Sequence, residues 1–126
     1  MLNKGLRDQE SERIDNVLNT LHSLVFVPKF WNIDDTSQID NALTDFGLTT
    51  QILIEINQND LIELLGRLHL DWQQQEQFAD FMMALSIENP FDLTEKAMAI
   101  YEHIQSESKV FSFGINTKIA SAKANL

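Results

Sequence analysis

The stretch Asp71-Trp-Gln-Gln-Gln-Glu-Gln-Phe-Ala-Asp-Phe-Met-Met-Ala-Leu-Ser-Ile87 decides the fold class. Phe78, Phe81, Met82 and Leu85 recur at steps of three and four, which stacks them on one face of an α-helix. Asp71 stands three residues before Gln74, the spacing of a capping box with aspartate in the serine or threonine place. A helix over 72–87 is the expected result. The same start signal recurs at Asp92-Leu-Thr-Glu95. It predicts a second helix, from Leu93 to about Gln105, that buries Leu93, Ala97, Ile100, Tyr101 and Ile104.

The same periodicity extends to both sides. Ile14, Val17, Leu18, Leu21, Leu24 and Val25 predict an amphipathic helix from Asp8 to about Leu24. Pro28 and Pro90 mark breaks, and Lys29 to Asn32 reads as irregular. A short helix follows Asp35 or Thr36, with Ile39, Leu43 and Phe46 inward and Gly47 as its stop. Ile52, Ile54 and Ile56 alternate as in a strand, but no second strand exists to pair with them, so a helix capped by Thr49 is preferred. Asn57 caps the next helix, with Asp60 in its first turn and Leu61, Ile62, Leu64 and Leu65 on its buried side. Gly66 is its expected end. A last helix over about 111–124 presents Phe111, Ile115, Ile119 and Ala122. The result is a single all-α domain over 1–126, a bundle of six to seven short helices with mostly antiparallel neighbours. Order at residues 1–7 is left open.

Two segments carry a family likeness. Glu95-Lys-Ala-Met-Ala-Ile-Tyr-Glu-His-Ile, a polar turn and Val110-Phe-Ser-Phe form the first, and Phe46-Gly-Leu with Ile56-Asn-Gln-Asn-Asp-Leu-Ile-Glu-Leu-Leu the second. Over about 45–126 the chain resembles an uncharacterised family of small helical bacterial proteins described as tetratricopeptide-like. The resemblance implies a helical hairpin followed by a terminal helix, with no catalytic residues to carry over. Ala97 and Tyr101 suit the second helix of such a repeat, whereas Ala84, Leu85 and Glu88 depart from the first. One unit does not stack into a solenoid, which takes about three repeats.

Charge narrows the choice of partner. The net charge is −10, and residues 30–107 hold fifteen acidic side chains against Arg67 and Lys96, a local charge of −13. Lys109, Lys118 and Lys123 follow with no acid among them. Phosphate backbones and anionic lipid repel such a middle segment, so nucleic acid and membrane are poor partners. A basic protein is a better one. The composition, 44% hydrophobic and 22% charged, is that of a soluble globular chain. Cysteine is absent, which fits a reducing compartment. The polar start lacks the apolar run of a signal peptide, and the expected location is cytoplasmic.

No constellation of reactive groups emerges. His22, His69 and His103 lack the i, i+3 or i+4 partner of a helical zinc site. Asn57-Gln-Asn-Asp lacks the glycine and terminal glutamate of an EF-hand and reads as a cap. No catalytic residue, metal ligand or cofactor is assigned. The expected function is a non-enzymatic helical module that binds another protein. Its candidate contacts are Phe30 and Trp31, within Phe26-Val-Pro-Lys-Phe-Trp31, and Gln75, Phe78 and Met82 as a groove wall. Phe30 and Trp31 either lie across the core or form an exposed aromatic patch. Two alternatives stand beside this. Met82, Met83, Met98 and the phenylalanines could line a small-molecule cavity. Trp31 or the last helix could be hidden in a homodimer.

Overall fold

The computed structural model describes residues 6–25, 37–88, 92–108 and 113–124. They form α1 (Leu6–Val25), α2 (Ser37–Leu43), a 3-10 turn (Thr44–Phe46), α3 (Thr50–Glu55), α4 (Gln58–Arg67), α5 (Trp72–Glu88), α6 (Thr94–Ser108) and α7 (Phe113–Ala124). No strand occurs among the described residues, and the fold is an all-α bundle. Helix α5 is its axis: α1 packs on one side of it and α6 on another, while α7 lies mainly on α6. The breaks expected at Pro28 and Pro90, the irregular stretch 29–32 and Phe111 fall outside the described residues.

The apolar periodicity becomes the core. Ile14, Val17, Leu18, Leu21 and Val25 of α1 meet Phe78, Phe81, Met82 and Leu85 of α5 and Ala97, Ile100, Tyr101 and Ile104 of α6 in one buried cluster. Phe78 is at its centre, edge-on to Phe46 at 6.0 Å and tilted against Phe81 at 5.8 Å. On α4 the buried side is narrower than its composition suggests. Leu61 and Leu65 are buried, whereas Ile62 and Leu64 pack at the margin.

Residues 50–55 are helical, and side chains at both ends explain it. A six-residue helix is too short to persist alone, because nucleation is costly and few internal bonds repay it. Thr49 Oγ1 accepts from Ile52 N–H at 3.1 Å, and Asp40 Oδ1 of α2 accepts from Thr50 N–H at 2.7 Å. At the other end Lys96 Nζ donates to the carbonyls of Leu53 and Ile54, both at 2.6 Å. Amides and carbonyls that a short helix leaves open are thereby satisfied. Asn57 likewise caps α4, its Oδ1 accepting from Asp60 N–H at 2.8 Å.

The Asp71 capping box is complete: Asp71 Oδ1 accepts from Gln74 N–H at 2.8 Å, and Gln74 Oε1 accepts from Asp71 N–H at 2.9 Å. The second one is not built as its spacing suggests. The carbonyl of Leu93 takes the first helical bond, from Ala97 N–H, so Leu93 is the cap residue and Asp92 stands one place before it. Asp92 Oδ1 accepts only a long 3.4 Å bond from Thr94 N–H. Ser86 Oγ, at the end of α5, fixes this register by accepting from Leu93 N–H at 2.9 Å while the Leu93 side chain enters the core.

Gly47 ends the 3-10 turn as expected, with φ of 75° and N–H bonds Gly47 to Thr44 and Leu48 to Leu43. The end of α4 repeats this pattern with a different residue. Gly66 lies inside the helix, and His69 takes the left-handed position at φ 69°. His69 N–H bonds to the Gly66 carbonyl and Leu70 N–H to the Leu65 carbonyl, a Schellman motif closed by buried Leu65 and Leu70. The glycine is therefore three residues from where its conformational freedom is useful. A Cβ at Gly66 would meet nothing within 4 Å. Gly66→Ala and His69→Gly are each expected to stabilise the chain by about 0.5–1 kcal/mol, measured by urea denaturation. A loss of stability at His69→Gly would show that the imidazole makes contacts that outweigh its backbone strain.

Candidate functional site

Two polar assemblies are built on α5. The first is a cleft of about 300 Å³ where the start of α5 faces α1, lined by Asp15, Asn19, Asp71, Gln73, Gln74 and Gln77. Gln74 organises it. This side chain is buried, completes the capping box with its oxygen, and uses Nε2 to reach Asp15 Oδ1 at 2.9 Å and Ser11 Oγ at 3.1 Å. One residue thus closes a helix start and fastens it to α1. Two carboxylates and four amides line the cleft with no cation among them, so it is rich in acceptors. None of Met82, Met83 and Met98 lines it.

The second assembly joins α5, α6 and α7. Lys118 Nζ of α7 donates to Glu76 Oε2 and, at 3.0 Å, to Asp80 Oδ2. Glu76 and Asp80 are one turn apart on α5, so a single ammonium spans both. From the other side the Tyr101 hydroxyl of α6 donates to Asp80 Oδ1 at 2.6 Å. Burial alone would lower the Lys118 pKa, but the hydrogen bonds and charges of Glu76 and Asp80 outweigh it and hold the ammonium above its ordinary value. Burial, reinforced by the bond to Asp80 and by the charges of Asp80 and Glu76, pushes the Tyr101 phenol well above its ordinary range. Both shifts favour the protonated forms that the three-helix junction uses.

The residues singled out from sequence are distributed differently. Phe30 and Trp31 lie outside the described residues. Gln75, Phe78 and Met82 are buried in the folded chain, which leaves them no surface to offer as a groove wall. The physical reason is crowding of α5: α1 and α6 cover it on different sides, so its Phe78–Met82 strip is core. Gln75 Nε2 donates to the Leu70 carbonyl at 3.0 Å, and its Oε1 is buried with no hydrogen-bond partner. The three histidines are apart, each with its own surroundings. His22 Nε2 lies 3.0 Å from the Gln77 carbonyl, His69 caps α4, and the His103 ring stands 5.9 Å from that of Trp72, which is 42% exposed. Among the described residues no group of three or more His, Asp and Glu is placed to hold a metal ion, and no helix is long and apolar enough to cross a membrane.

Sequence reasoning did not single out Glu76, Asp80 or Lys118. The i, i+4 acids were legible on α5, but their cation is 42 residues from Glu76 and 38 from Asp80, on another helix. The chain matches no protein-family model, no curated protein and no solved structure.

Proposed function

We propose that the protein is a non-enzymatic helical interaction module, acting in the cytoplasm, that docks a basic segment of another protein. One observation carries this. The acidic middle segment has two cations, and the fold turns one to an internal contact, Lys96 to the carbonyls that end α3, while Arg67 is exposed beside Glu63 of its own helix at 3.9 Å. Glu55, Asp60, Glu95, Glu102 and Glu107 remain exposed, together with the carboxylates of the acceptor-rich cleft. Such a surface steers basic partners and repels acidic ones. The cleft suits the N–H donors of an arginine or lysine side chain.

The test is capture of the tagged protein at native expression, followed by mass spectrometry and washing from about 0.1 to 0.5 M salt, where screening lengths fall below about 10 Å. A stoichiometric basic partner is expected, released by salt and weakened at least about tenfold by Glu55→Gln/Glu63→Gln/Glu102→Gln, a loss of about 1.4 kcal/mol. A partner insensitive to both salt and charge removal would refute the electrostatic reading. A bait that captures nothing would count against the module itself.

A further inference from the structure

We draw no further inference here: the strongest candidate, the acceptor-rich cleft where the start of α5 faces α1, rests on a pair of carboxylates at a helix N-terminus, and its one buried side chain, Gln74, has both polar ends bonded within the protein, so nothing in the cleft identifies what it would hold.

Discussion

Phe78→Ala is expected to destabilise the fold by about 3–5 kcal/mol, the usual cost of removing a fully buried phenylalanine. Phe78 has no exposed surface, and its ring is in contact with both Phe46 and Phe81. Truncation therefore removes transfer energy, two aromatic contacts and the packing around the void. Helices α1 and α6, both packed on α5, limit how far the site can collapse to fill it. For a domain of this size that loss is a large part of a total near 5–15 kcal/mol. Urea denaturation should show a markedly lower midpoint with an unchanged slope, because the surface exposed on unfolding is nearly the same. Trp72→Ala is the contrast: at 42% exposure it should cost under about 1 kcal/mol. The pair separates core from surface. A Phe78→Ala protein of unchanged stability that had lost a partner would return Phe78 to the groove wall its helical position first suggested.

The fold was legible to the extent that local chemistry dictates it. Period located α1 and α6, and caps located α3, α4 and α5, since Thr49, Asn57 and Asp71 each bond to the amide three residues away. Local signals failed where a distant group decided the outcome. Asp92 had the right spacing for a cap, but Ser86 anchored Leu93 and moved the cap by one residue. Gly66 had the right composition for a helix end, but Leu65 and Leu70 closed the motif around His69. In both places a buried leucine set the register and the polar signal accommodated it. Burial of one leucine is worth about 1.5–3 kcal/mol, more than the preference of one cap or turn residue over another.

The candidate site was less legible because its parts come from different helices. Amphipathic periodicity gives the inward face of each helix but not which of its residues a neighbour will cover. Gln75, Phe78 and Met82 lie on a face that could have bordered a groove, and α1 and α6 bury it instead. Gln74 was readable as a capping residue, while its reach to Ser11 and Asp15 spans about sixty residues of sequence. The charge asymmetry was visible from the sequence. What the structure adds is its arrangement, with Lys96 engaged on the carbonyls that end α3 and the basic last helix seated on an acidic pair.

That pair carries the second large effect. Asp80→Ala is expected to cost about 2–3 kcal/mol, because it leaves the buried Tyr101 hydroxyl without its acceptor and removes one of two carboxylates holding Lys118. Relief of the Glu76–Asp80 repulsion returns only a few tenths of a kcal/mol, as for like charges one helical turn apart, and does not offset it. Tyr101→Phe should cost about 1 kcal/mol, since Asp80 keeps Lys118 as a partner. If the hydroxyl and carboxylate act together, Asp80→Ala in the Tyr101→Phe background should cost about 1 kcal/mol less than alone. Strict additivity would show that they do not. Alkali tests the same junction. Tyr101 and Lys118 both hold protons more tightly in the folded state than their ordinary values, 10.0 and 10.5. Above about pH 10 these two groups therefore bind more protons in the folded state than in the unfolded one, and their contribution to stability falls as pH rises, opposed in part by Lys96, whose burial lowers its pKa. Tyr101 is the chain's single tyrosine, so tyrosinate absorbance reports it alone. Its appearance should coincide with unfolding followed by circular dichroism, and in Asp80→Ala both should move to lower pH. Free titration of Tyr101 near pH 10 in a fully folded chain would contradict the buried, carboxylate-bound phenol on which the junction depends.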